Sequence, residues 1–221
     1  MRSAACAAAF ALFTVGAATA DSGGATDLTV LSFNVRSARG DVEEVPRYDE
    51  ANLTALLDLV GEVRPDVVLL QEIDRGVARS GRVDQYEALR SATGMDGAFV
   101  RTVDYQGGRF GIAALTRHEI VATDHVPLPR LGGKEPRALQ RLRIRLEDGE
   151  AVDLFNTHLD PVPASRDRQI ELVIDHVQRL ADGPAVLAGD FNATAGSDAM
   201  RRVAASWTDA AVEAGGAVPT Y

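Results

Sequence analysis

Short apolar runs that break off into polar residues recur along the chain, and they predict most of its strands. Residues 28–33 (LTVLSF) are compact and β-prone. Residues 67–70 (VVLL) and 185–188 (AVLA) have the unbroken apolar character of strands buried on both faces. Residues 98–103 and 110–115 are two further candidates, separated by the turn-rich Gln106-Gly107-Gly108. Residues 120–126 are expected to pair with the second of these across Arg117-His118-Glu119. Residues 138–146 (ALQRLRIRL) alternate apolar and charged positions, which predicts a half-exposed strand with Arg141 on its open side. Asp148-Gly149 then signals a hairpin, with residues 151–155 as the return strand.

Helical periodicity appears between these runs. Leu53, Leu56, Leu57 and Val60 fall at i, i+3, i+4 and i+7, and Pro65 ends that stripe. Residues 84–93 suit a short helix closed by Gly94. A longer helix is predicted over 164–181, with Ile170, Val173, Ile174, Val177 and Leu180 on one face, before Gly183-Pro184 breaks it. A short helix follows over 197–205, while residues 21–26 and 35–47 read as a flexible start and a loop. No internal repeat or linker interrupts this order, so 221 residues of many strands and a few helices make one α/β (α+β) domain.

The first twenty residues stand apart. Arg2 is the one charge before Asp21, an apolar run follows it, and Ala18-Thr19-Ala20 fits signal-peptidase cleavage. Residues 1–20 are therefore read as an export leader and residues 21–221 as the domain, secreted or periplasmic and not inserted in a membrane. Cleavage would remove Cys6, the single cysteine, and with it any disulfide, thiolate nucleophile or cysteine metal site. The formal charge is −9, and losing Arg2 makes it one unit more negative. General attraction to polyanions is then weak, which argues against long duplex DNA as a partner without excluding it.

Candidate metal-ligand residue types stand at the strand ends. Phe33 leads to Asn34, Leu70 to Gln71-Glu72, Phe155 to Asn156-Thr157-His158, and Ala188 to Gly189-Asp190-Phe191-Asn192. Strand ends are rigid mounts, and this oxygen-rich, thiol-free set suits a hard cation, Mg²⁺, Mn²⁺ or Ca²⁺. Taken singly, each residue has a structural alternative. Glu72 can cap a backbone amide, Asp190-Phe191-Asn192 can be a turn opening a helix, and His158 can be a hydrogen-bonded structural histidine.

LSFNV, LLQEID, RFGIAALTR, FNTHLD and AGDFNAT, in that order, resemble the successive motifs of the endonuclease/exonuclease/phosphatase superfamily. The resemblance implies a four-layer αββα sandwich of two mixed β-sheets flanked by helices, and a Mg²⁺- or Mn²⁺-dependent phosphoesterase. It implies Glu72 as the principal metal ligand with Asn34 beside it. Asp190 and Asn192 would hold the attacking water, and His158 would donate to a phosphate oxygen. Gln71 is expected to support the site. Asp160 either orients His158 or caps the helix near 164, and Arg109 and Arg137 are candidate phosphate contacts. The substrate would be a nucleic acid, a phospholipid or a small phosphodiester, and the protein a monomer.

The family pattern continues past Pro219-Thr220-Tyr221 to further core strands and a Ser-Asp-His motif that this sequence lacks. The expectation is a truncated fragment of low activity lacking the last strands. A degenerate, non-catalytic phosphate-binding module and a site completed by a second chain are the alternatives.

Overall fold

A computed structural model describes residues 11–16, 27–39 and 50–213. The leader's cleavage signature, the start at 21–26, most of the 35–47 loop and the terminal Pro219-Thr220-Tyr221 lie outside the described residues. Among the described residues, nine strands form two sheets. The first has the order β1 (Ala11–Gly16), β2 (Asp27–Asn34), β3 (Val67–Arg75), β5 (Gly108–Thr116), β4 (Asp96–Tyr105). The second runs β6 (Glu119–Leu128), β7 (Arg137–Arg145), β8 (Ala151–His158), β9 (Ala185–Asp190). Both sheets are mixed, since β2–β3 and β8–β9 are parallel while the other pairings are antiparallel. β1 falls within the segment read as a leader, and its backbone pairs with β2 from Ala11↔Ser32 to Gly16↔Asp27.

The period-two alternation of side chains sorts the core into layers. Val30, Val67, Leu69, Leu142, Ile144 and Leu154 face inward and fill the space between the sheets. Their neighbours Leu31, Val68 and Leu70 point the other way, under α1 (Glu50–Val63) and α2 (Gln85–Thr93). Leu139 and Phe155 point outward from the second sheet onto Ile170, Val173 and Val177 of α3 (Pro163–Leu180) and onto α4 (Asp198–Ala204). A short helix, α5 (Ala210–Glu213), follows. The result is the four-layer αββα sandwich. Each fully buried leucine or valine contributes about 1.5–3 kcal/mol, which is why the unbroken apolar runs become the central strands.

Helix boundaries follow local chemistry. Asp84 caps α2 by accepting from the Glu87 amide, and Gly94 closes it in the left-handed conformation. Pro163 opens α3, where its missing N–H costs nothing, and Ser197 caps α4.

Two expectations are corrected. Residues 120–126 do not pair with β5. That strand already has β3 on one side and β4 on the other, so no edge remains, and the chain crosses at Arg117 to begin the second sheet. Arg141 is not left in solvent on an open strand face. Its side chain is 13% exposed and bonds Asp153, itself fully buried, and Asp124.

Candidate functional site

Parallel strand pairs end together, and this places the candidate residues at one end of the sandwich. Asn34 ends β2 opposite Gln71 of β3, and His158 ends β8 opposite Asp190 of β9. Glu72 needs one further device. The β3–β5 register shifts between Leu70 and Ile73, and Glu72 occupies this bulge with φ 59°. A bulge re-aims side chains at a strand end, and a left-handed non-glycine residue costs about 1–3 kcal/mol. Surrounding bonds hold it there. Ser37 Oγ donates to the Glu72 carbonyl at 3.1 Å, the Val35 amide donates to the Gln71 carbonyl at 3.1 Å, and Asn156 Nδ2 donates to the carbonyls of Leu70 (3.2 Å) and Ala113 (3.0 Å).

Asn34 joins the two carboxylates. Its Nδ2 donates to Glu72 Oε1 at 3.0 Å and to Asp190 Oδ2 at 2.8 Å, while its Oδ1 accepts from the Arg36 amide. Asp190 Oδ1 accepts from the Asn192 amide at 2.8 Å, and Asn192 Nδ2 donates to the Leu159 carbonyl at 2.7 Å. Asn192 thus sits beside Asp190, anchored to the backbone beyond β8. His158 Nε2 is 3.6 Å from Asp190 Oδ2, and Arg137 Nη1 is 2.8 Å from His158 Nδ1. Burial pushes the imidazole down to about 4, and the Arg137 charge adds to it. Asp190, Glu72 and Asp160 oppose the shift. His158 is therefore neutral at physiological pH.

The structure brings Asn34, Glu72, His158, Asp190 and Asn192 together, with Arg137 behind them. Gln71 turns between the sheets and donates to Asn156 Oδ1 at 2.8 Å, a supporting position. Asp160 does not orient His158 by a hydrogen bond. Its Oδ1 accepts from the amide of Val162, the residue before α3, and Gln169 holds its own amide. Arg109 is exposed at the start of β5, with Arg75 and Asp104 as its strand partners and no hydrogen bond to the cluster. Arg137 is 8% exposed, with Nη1 at His158 and Nη2 at Glu135.

Sequence reasoning missed the support behind Glu72. Arg79 grips the fully buried Asp74 through two bonds of 2.9 Å and donates to Ser37 Oγ at 3.0 Å. Gln140 Nε2 reaches the Ala98 carbonyl across the sheets, while its Oε1 accepts from Asn156. No spacing marks these partners: Asp74, Ala98, Gln140 and Asn156 lie on four different strands, and Ser37 and Arg79 in two short helical turns.

Among the described residues, no three His, Cys, Asp or Glu side chains converge in a metal-holding group. The donor set at hand is Glu72, Asn34 and the neighbouring Asp190. Two carboxylates drawn onto one amide nitrogen form a locus of negative potential, and Arg39 Nη2 also stands 3.8 Å from Glu72 Oε2. A few oxygen ligands, with water completing the shell, fit Mg²⁺ or Mn²⁺.

The sequence profile of the Endonuclease/Exonuclease/phosphatase family matches residues 31–216. The chain is 31% identical over 149 residues to the uncharacterized Escherichia coli protein YbhP, a match covering 63% of this chain and 58% of that protein. It therefore spans less than two thirds of that curated relative. Among solved structures, an endonuclease/exonuclease/phosphatase from Beutenbergia cavernae superposes with a TM-score of 0.59 at 24% identity, over 75% of this chain and 47% of that one. The human Nocturnin catalytic domain, solved with a bound sulfate, gives 0.65 at 21% identity over 81% and 69%. Both share the fold.

Proposed function

Because the chain belongs to the endonuclease/exonuclease/phosphatase family, whose members are phosphoester hydrolases of nuclease and phosphatase type that generally depend on divalent metals, we propose that it is a Mg²⁺- or Mn²⁺-dependent phosphodiesterase using water as nucleophile. The observation that carries this reading is the convergence of Glu72 and Asp190 on Asn34 with His158 alongside. In-line attack needs an oriented water, charge on the non-bridging oxygens and a stabilised leaving oxygen. A bound divalent cation would neutralise charge on the phosphate. Glu72, with Asn34 beside it, would hold that cation. Asp190 would orient the attacking water and accept its proton, and the backbone-anchored Asn192 would fix the loop carrying it. His158, neutral, would donate from Nε2 to a phosphate oxygen as charge builds there.

The acidic balance, −9 over the whole chain, favours a small or lipid phosphodiester over a long duplex. No helix among the described residues is long and apolar enough to cross a membrane. The apolar N-terminal run behind Arg2 supports export to the periplasm or medium, and a monomer is the working state. The test is hydrolysis of bis-p-nitrophenyl phosphate in water labelled with heavy oxygen, with EDTA and then with added Mg²⁺. The reading expects turnover that EDTA stops and Mg²⁺ restores, with one solvent oxygen in the phosphoryl product. Turnover indifferent to EDTA, or label appearing in the nitrophenol, would sink it.

A further inference from the structure

We propose that Arg137 is a positioning residue for His158: its guanidinium holds Nδ1 as an acceptor and so keeps the imidazole proton on Nε2, facing Asp190. Arg137 opens β7, and the Leu139↔Thr157 pairing brings that strand start beside the end of β8. Its Nη1 lies 2.8 Å from His158 Nδ1, and Glu135 steadies Nη2 at 3.3 Å. A guanidinium carries only N–H donors and does not deprotonate in proteins. At this distance Nδ1 must present its lone pair, so the proton of the neutral ring resides on Nε2, 3.6 Å from Asp190 Oδ2.

The charged groups facing the ring are Arg137 from β7, Asp190 from β9, Glu72 from β3 and Asp160 from the segment after β8. Three of these four are acidic and would favour an imidazolium. A second proton would set Nδ1–H against the guanidinium and tie Nε2 to Asp190 as an ion pair. On the phosphodiesterase reading, that pair would quench the carboxylate that holds the water. Arg137 thus reverses the polarity of a carboxylate–histidine pair: the histidine becomes a fixed donor and cannot shuttle protons.

The test compares wild type with Arg137→Met, which removes the donor, and Arg137→Lys, which retains charge and donor. Imidazole nitrogen NMR on cation-free protein reads the tautomer directly. Wild type should show protonated Nε2 and bare Nδ1 at pH 8. Arg137→Met should let the ring proton distribute between Nδ1 and Nε2, and Arg137→Lys should restore the wild-type tautomer. With bis-p-nitrophenyl phosphate at pH 8, Arg137→Met should lose about tenfold in kcat with KM little changed, and Arg137→Lys should recover it. Protonated Nδ1 in wild type, or an Arg137→Met protein whose imidazole tautomer matches wild type, would overturn the inference. The tautomer is read without turnover, so hydrolysis indifferent to EDTA would count against the phosphodiesterase reading, and a wrong tautomer against Arg137.

Discussion

Asn156 is where the two sheets and the Glu72 bulge are fastened together, and its replacement gives a prediction with a sign that shape alone would not give. Its fully buried side chain donates to the carbonyls of Leu70 and Ala113 and to Gln140 Oε1, and accepts from Gln71 Nε2. One NH₂ has two hydrogens, so these four contacts amount to about three full hydrogen bonds, each contributing about 1 kcal/mol net. Asn156→Ala should therefore cost about 3–4 kcal/mol, including the unpaired Gln140 oxygen left behind. That is a large part of a typical total of about 5–15 kcal/mol, and corresponds to a Tm lowered by about 6–16 °C. Asn156→Asp keeps the shape but points carboxylate oxygens at three acceptors in a dry site. It should be less stable than Asn156→Ala. Urea unfolding followed by circular dichroism ranks the three proteins. If Asn156→Asp equals or exceeds Asn156→Ala, or if Asn156→Ala costs under about 1 kcal/mol, the bulge is held by something else.

Three other perturbations probe separate parts of the account. Glu72→Gly should abolish cation binding yet leave Tm unchanged or higher, because the left-handed residue is relieved of about 1 kcal/mol of strain and a carboxylate leaves the neighbourhood of Asp190; a clear drop in Tm would contradict the strain argument. Gly189→Ala should destabilise by at least about 2 kcal/mol and impair activity, since a Cβ there runs into the Thr157 carbonyl at φ 139°; thermal melts and turnover would both report it. His158 in the folded protein takes up its proton only near pH 4, whereas the unfolded chain does so near pH 6.5. Between those values the unfolded state binds more protons, so stability rises with pH through this window, by about 3 kcal/mol. His158→Gln should flatten that acid limb in urea titrations, and an unchanged limb would assign it to other groups.

The strands and helices were legible because their physics is local. Val67 to Leu70 announce a buried strand, and Leu53, Leu56 and Val60 a helix stripe, from a few neighbouring residues. The motifs at strand ends were legible for the same reason, since Asn34, Glu72, His158 and Asp190 each follow an apolar run. What lay beyond reach depends on partners far along the chain. The sheet that residues 120–126 join is decided by whether β5 has a free edge, which rests on β3 and β4. Alternation placed Arg141 on the outer face of β7, but its ion pairs with Asp153 and Asp124 close that face. Asp160 could cap or orient on sequence grounds, and only the Arg137 contact to Nδ1 shows that His158 is already held by another residue.

The central claim is that Glu72, at its bulge, holds a divalent cation beside Asp190 and His158. Mn²⁺ titration followed by electron paramagnetic resonance, on wild type and Glu72→Gln, addresses it most directly. The account predicts one saturable site in wild type, displaced by Mg²⁺, and its loss in a folded Glu72→Gln protein. Equal Mn²⁺ binding by the two proteins would place the cation elsewhere and contradict the account.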